Sequence, residues 1–220
     1  MVRVQIDCPT DFINIKDDLL YDWGLQESIY PEILITNPGS EYKYDEHHFN
    51  NEYYQDLKIV ATPSTGNTHI DLDYLEKKGI QFYSLLDDRK SLDKITASSE
   101  FTWLHIMNAM RKFRVATNNT RYWREEKNEN KLRTQQLYGK TIGIIGYGRI
   151  GKNVSKYAKA FGMDFLFYDP DVFANGNKVS SIDSMKDVDI VSINCGLNDK
   201  SRNLITYDTF KDFKKGLVVV

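Results

Sequence analysis

Thr141-Ile-Gly-Ile-Ile-Gly146-Tyr147-Gly148-Arg149-Ile150-Gly151, followed by Tyr168-Asp169-Pro170, is the stretch that decides the fold. Ile142, Ile144 and Ile145 form an apolar run that reads as a buried strand. Three glycines follow at G-x-G-x-x-G spacing. Ile150, Val154, Tyr157, Ala158 and Phe161 then recur at helical spacing on one face. A second apolar run, Phe165-Leu-Phe-Tyr168, ends in an acid. Strand, glycine turn, helix, strand and acid stand in the order that a dinucleotide site requires.

Each part has a physical task. Gly146 permits the tight turn out of the strand, Gly148 lets a pyrophosphate approach the backbone, and Gly151 lets the helix pack closely on the sheet. The helix N-terminus offers unpaired N–H groups and a partial positive charge to phosphate. Asp169 follows Gly151 by 18 residues, near the roughly 20 expected of the acid that binds the adenosine ribose. Its carboxylate accepts hydrogen bonds from ribose hydroxyls and repels a 2′-phosphate, so the spacing predicts NAD in preference to NADP. Glycine turns are common, and the spacing alone is a weak signal; the strand, helix and acid around it give it weight.

The 220 residues allow one large or two small domains, and the net charge of −2 gives no nucleic-acid surface. Lys77-Lys78 and Lys214-Lys215 read as solvated helix ends. No apolar run is long enough to span a bilayer. The opening residues lack the layout of a signal peptide. Two cysteines, Cys8 and Cys195, stand far apart with no C-x-x-C pattern, which predicts a reducing, cytoplasmic setting.

Outside the glycine unit, residues 2–6, 33–35, 57–61 and 80–85 read as strands, and 11–20, 47–54 and 71–78 as helices, with Gly79 as a stop signal. The alternation predicts an α/β fold with a parallel sheet. A helix is expected from Ser98 or Ser99, hydroxyls suited to an N-cap, through Phe113. It is apolar on more than one face and so is expected to lie between two bodies. Residues 118–136 read as an exposed connector. Past Asp169, a strand over 188–193, a helix over 207–213 and a last strand over 217–220 complete the pattern.

These residues together resemble the D-isomer-specific 2-hydroxyacid dehydrogenase family, which includes phosphoglycerate dehydrogenase. The resemblance runs over residues 57–220. It is carried by Leu57-Lys-Ile-Val-Ala-Thr-Pro-Ser-Thr-Gly66, His69-Ile-Asp71, Ala97-Ser-Ser-Glu-Phe-Thr102 and the glycine stretch from Leu137. Ala158-Lys-Ala-Phe-Gly-Met163, Tyr168-Asp-Pro170, Val188-Asp-Ile-Val-Ser-Ile-Asn194 and Ser201-Arg-Asn-Leu-Ile205 continue it. Residues 1–51 fit only loosely.

The resemblance implies two parallel-sheet domains: a flavodoxin-like substrate domain over 1–97, and an interdomain helix with a Rossmann NAD-binding domain over 98–220. It implies hydride transfer between a nicotinamide and a D-2-hydroxy acid or 2-keto acid, with NAD as cofactor and a homodimer as the assembly. Residue by residue, Arg149 and Ile150 match the turn at the pyrophosphate and Asp169 the ribose acid. Thr65 and Gly66 match the loop whose amides hold the substrate carboxylate beside the nicotinamide, a turn of free amides that suits an anion on physical grounds too. Ser98 matches a hydroxyl near the nicotinamide, and Cys195, Gly196 and Ser201 the loop lining the cofactor.

Asn194-Cys195-Gly196 departs from the histidine, small residue and proline usual there, and Phe101 stands where a histidine is common. The family's substrate-binding arginine, its histidine acid/base and the carboxylate that tunes the histidine fall downstream of residue 220, so no catalytic residue is expected within this chain. His47, His48, His69 and His105 read as surface, helix-start or core histidines. No metal-ligand spacing and no Ser or Cys nucleophile motif is present. Two readings stand: the N-terminal portion of a dehydrogenase, or a naturally truncated, non-catalytic module that binds NAD or a partner.

Overall fold

The computed structural model describes residues 3–7, 30–118, 126–173 and 176–220. It divides into two compact units, Met1–Lys94 and Ile95–Val220. Each holds a four-stranded, all-parallel sheet.

In the first unit β1 (Val4–Ile6), β2 (Ile33–Ile35), β3 (Ile59–Thr62) and β4 (Gln81–Ser84) lie side by side in chain order. Leu34 and Val60 are fully buried, and Tyr44, Phe49, Ile70, Tyr74 and Leu75 pack with them. The helix expected over 71–78 is α2 (Leu72–Lys78), preceded by α1 (Glu46–Phe49). Asp71 caps α2 by accepting the Tyr74 N–H at 3.0 Å, and Gly79 closes it at φ 68°. The helix expected over 47–54 is broken. It comprises α1 and a separate single turn, Glu52–Tyr54, because the Asn51 side chain caps the Tyr53 N–H and restarts the chain. The helix expected over 11–20 and Cys8 lie outside the described residues. A short α3 (Arg89–Leu92) precedes the second unit.

The second unit opens with α4 (Ala97–Met110). One expectation for it fails. The helix starts ahead of Ser98 and Ser99, at Thr96, which makes no capping bond to the backbone. Ser99 and Ile106 are buried and Trp103, Met107 and Met110 join the core, whereas Phe101 and Leu104 are 60% and 51% exposed. Residues 118–136, expected as a plain connector, include the helix α6 (Glu126–Leu132), which follows α5 (Phe113–Asn118).

The sheet of this unit follows: β5 (Thr141–Ile145), β6 (Asp164–Tyr168), β7 (Ile190–Ile193) and β8 (Val218–Val219), in the spatial order β6-β5-β7-β8. Ile142, Ile144, Ile145 and Ile190 are fully shielded, which explains an apolar run without alternation. One neighbour of β5, β6, is reached through α7 (Arg149–Ala160), and the next strand, β7, lies on the opposite side of β5, so the strand order reverses at β5. Val154 and Ala158 of α7 are fully buried against this sheet. Residues 207–213, expected as a helix, form only a single tight turn, Tyr207–Phe210.

Candidate cofactor site

A cleft of about 240 Å³ opens beyond the C-terminal ends of β5, β6 and β7, where the strand order reverses. That is the place where open α/β sheets bind ligands. Gly146 and Gly148 line it from β5, Tyr168–Asp171 from β6, and Asn194, Cys195, Gly196, Asn198, Lys200 and Ser201 from β7.

The three glycines have different causes. Gly146 sits at φ 89°, and a Cβ there would stand 2.6 Å from the Cys195 backbone nitrogen. A Cβ on Gly151 would stand 2.2 Å from the Gly146 carbonyl oxygen. Both are imposed by the chain's own packing. Gly148 is not: no heavy atom lies within 4 Å of its Cβ position. It is the N-cap of α7 and makes no side-chain cap bond, so the first-turn amides are open to an anion. A bare glycine facing open space at a helix N-terminus fits a pyrophosphate.

Asp169 holds this turn in place. Its Oδ2 accepts the Tyr147 N–H at 2.7 Å and its Oδ1 the Asp171 N–H at 3.0 Å. Each oxygen keeps a further lone pair for a hydroxyl. The Tyr147 ring stacks on Phe167, centroids 3.8 Å apart, and its hydroxyl meets Ser155 Oγ at 3.1 Å. Sequence reasoning passed over Tyr147, Asp171 and Lys200. Lys200 Nζ reaches Asp171 Oδ1 at 3.4 Å and is the sole basic side chain among the lining residues.

The loop after β7 is stitched without the usual proline. Asn194 Nδ2 donates to Ser192 Oγ at 3.0 Å. Asn198 Oδ1 accepts the Lys200 and Ser201 amides, and Ser201 Oγ donates to the Gly196 carbonyl at 2.6 Å. Cys195 carries a free, exposed thiol.

Of the residues singled out in the sequence, Gly146, Gly148, Asp169, Cys195, Gly196 and Ser201 line one cleft. Arg149, Ile150 and Gly151 form the first turn of α7, with the Arg149 guanidinium donating to the Ile95 carbonyl. Ser98 is exposed in the first turn of α4. Thr65 and Gly66 are exposed in the first unit, in the loop after β3. No histidine lines the cleft. Among the described residues no group of three acidic, histidine or cysteine side chains could hold a metal ion, and no helix is long and apolar enough to cross a membrane.

The geometry defines an NAD-binding domain of Rossmann type. Residues 103–220, more than half of the chain, match the family described as D-isomer specific 2-hydroxyacid dehydrogenase, NAD binding domain, and the chain belongs to that family. It is similar to D-3-phosphoglycerate dehydrogenase of Methanocaldococcus jannaschii, 29% identical over 86% of this chain and 35% of that one. It is also similar to a glyoxylate reductase of Aeropyrum pernix, 32% identical over 74% of this chain and 51% of that one. The chain thus spans about a third to a half of the length of these relatives. A crystal structure of D-lactate dehydrogenase from Aquifex aeolicus, complexed with NAD and lactic acid, superposes with a TM-score of 0.76 at 21% identity, over 99% of this chain and 67% of that one, a likeness of fold alone.

Proposed function

We propose that the chain forms the cofactor-binding and carboxylate-binding parts of an NAD-dependent oxidoreductase acting on a D-2-hydroxy acid or its 2-keto acid. The observation that carries this reading is Gly148, a glycine that no neighbouring protein atom requires, at the mouth of a cleft closed by Asp169. Gly148 and the first-turn amides at Arg149 and Ile150 meet the pyrophosphate. Asp169 takes the ribose hydroxyls and selects against a 2′-phosphate. Cys195, Gly196, Ser201 and Ser98 face the cofactor, and the Thr65-Gly66 amides hold the substrate carboxylate. Bound NADH supplies a hydride for the keto carbon. The protein works as a homodimer, and the exposed apolar side chains of α4, Phe101 and Leu104, support a covered face there.

None of the four histidines lines the cleft, and His48 and His69 are engaged by neighbouring hydroxyls. This favours a second element of the reading: the 220-residue chain by itself binds NADH without turning over. The test is a titration followed by an assay. NADH fluorescence is expected to saturate, with weaker binding of NADPH. Reduction of glyoxylate, hydroxypyruvate or phosphohydroxypyruvate is expected to stay at the buffer rate. Absence of any NADH binding would sink the cofactor reading, and turnover above buffer would sink the claim that this chain lacks its acid/base group.

A further inference from the structure

The loop bearing Thr65 and Gly66 is tied to His69 by a chain of hydroxyl contacts. Ser64 Oγ donates to the Gly66 carbonyl at 2.7 Å, and Thr36 Oγ1 donates to the Ala61 carbonyl at 3.3 Å. A hydroxyl carries one proton. The Ser64 proton is spent, so the 3.0 Å contact between Thr62 Oγ1 and Ser64 Oγ is a donation by Thr62. Both threonine protons are then committed. The contacts of His69 Nε2 with Thr36 at 3.2 Å and Thr62 at 3.3 Å leave the donor to the tautomer; with both threonine protons placed as above, the imidazole donates to the two as one shared Nε2–H. The direction runs one way, from His69 through Thr62 and Ser64 to the Gly66 peptide.

The anchor of this relay is firm and its far end is not. Thr36 and Thr62 are 0% and 4% exposed. The His69 backbone is held by the Tyr44 N–H, which donates to its carbonyl at 2.7 Å. Thr65 and Gly66 are exposed and nothing beyond the chain neighbours lies within 4 Å of the Gly66 Cβ position; besides the relay, the loop is held at the Ser64 carbonyl, which accepts the Leu85 N–H at 3.2 Å.

We propose that His69 is a positioning residue: through Thr62 and Ser64 it holds the Gly66 peptide, and with it the Thr65-Gly66 amides, in the conformation that receives a carboxylate. The proposal rests on reading those amides as the carboxylate cradle. Nε2 keeps its proton in the neutral Nε2–H tautomer and in the imidazolium, so the hold survives protonation of His69 and fails only when the donor is removed.

The test uses the whole 220-residue chain, labelled with 15N, and oxamate as the carboxylate probe. In the wild type the His69 ring shifts are expected to report an Nε2–H tautomer. The Thr65 and Gly66 order parameters should lie near the rigid value of about 0.85. His69→Gln, whose amide can still donate, should match the wild type. His69→Leu and Ser64→Ala should drop both order parameters below about 0.6 and weaken the oxamate-induced shifts at these amides about tenfold. Ser64→Ala leaves the buried anchor intact and decides the matter if His69→Leu does not fold. An Nδ1–H tautomer, a loop that stays rigid in His69→Leu and Ser64→Ala, or a Gln variant no better than Leu would overturn the proposal. Oxamate that shifts neither amide in the wild type overturns the carboxylate reading itself, and the proposal with it; oxamate binding to a loop unmoved by the variants overturns the positioning role alone.

Discussion

Asp169 Oδ2 accepts the Tyr147 amide proton at 2.7 Å, so the acid at the end of β6 braces the glycine turn that ends β5. The same carboxylate serves the turn's shape and the recognition of ribose. Removing it should do more than lose a contact. Asp169→Ala frees two backbone N–H groups and removes the charge that opposes a 2′-phosphate. A hydrogen bond to a charged group is worth roughly 1.5–3 kcal/mol, so NADH affinity should fall by about tenfold or more and the preference over NADPH should shrink. Parallel NADH and NADPH titrations check this, and unchanged affinities would remove Asp169 from the site.

Gly146 and Gly148 should separate stability from binding. Alanine at 146 meets the Cys195 backbone nitrogen at 2.6 Å and a φ of 89°, so Gly146→Ala should cost at least about 2 kcal/mol in urea unfolding. Alanine at 148 meets nothing, so Gly148→Ala should leave stability within about 0.5 kcal/mol while NADH affinity falls. An NADH affinity unchanged by Gly148→Ala would mean that Gly148 has no ligand to face.

The glycine unit was legible because its signal is local: strand, turn and helix each follow from residues a few positions apart, as do the Asp71 and Gly79 caps of α2. What failed in the reading depended on choices that a pattern does not record. Residues 47–54 carry a helical pattern, yet Asn51 offers its side chain to the Tyr53 amide and divides them. Ser98 and Ser99 have the chemistry of an N-cap, yet Ser99 is buried and accepts from Asn153 Nδ2 at 3.2 Å, a partner 54 positions away. The Tyr147–Asp169 brace and the Lys200–Asp171 contact likewise join distant stretches, so the site's outline could be read in sequence but not its wiring.

Lys200 should matter to binding and not to folding. Its contact with Asp171 joins side chains that are 78% and 72% exposed, and such pairs are worth about 0–1 kcal/mol. Lys200→Ala should therefore leave the unfolding midpoint nearly unchanged. As the single cation lining the cleft, Lys200 should contribute to attraction of the dinucleotide, so the variant should bind NADH more weakly and with a shallower dependence on salt. Titrations at low and high ionic strength test this; identical salt slopes for variant and wild type would exclude the role.

Stability should fall on mild acidification, and two histidines should account for it. Burial lowers the pKa of His48, set among Tyr42, Tyr44 and Phe49, and burial lowers that of His69. Their folded values lie below the unfolded histidine value of about 6.5, so the unfolded chain binds protons first as pH drops. The contribution is fully present above about pH 6.5 and is lost as pH falls through the depressed folded values. Asp189 behaves differently. Burial pushes its carboxyl up, but the Lys214 ammonium at 2.7 Å, the Thr141 N–H and Lys140 outweigh this and leave it below the ordinary carboxylate value, so its contribution is lost only in stronger acid. Urea unfolding at about pH 7.5 and 5.5 should show a loss that His48→Asn and His69→Gln together largely abolish, while Asp189→Asn should leave that loss in place. A loss unaffected by the two histidine variants would place the acid-sensitive groups elsewhere.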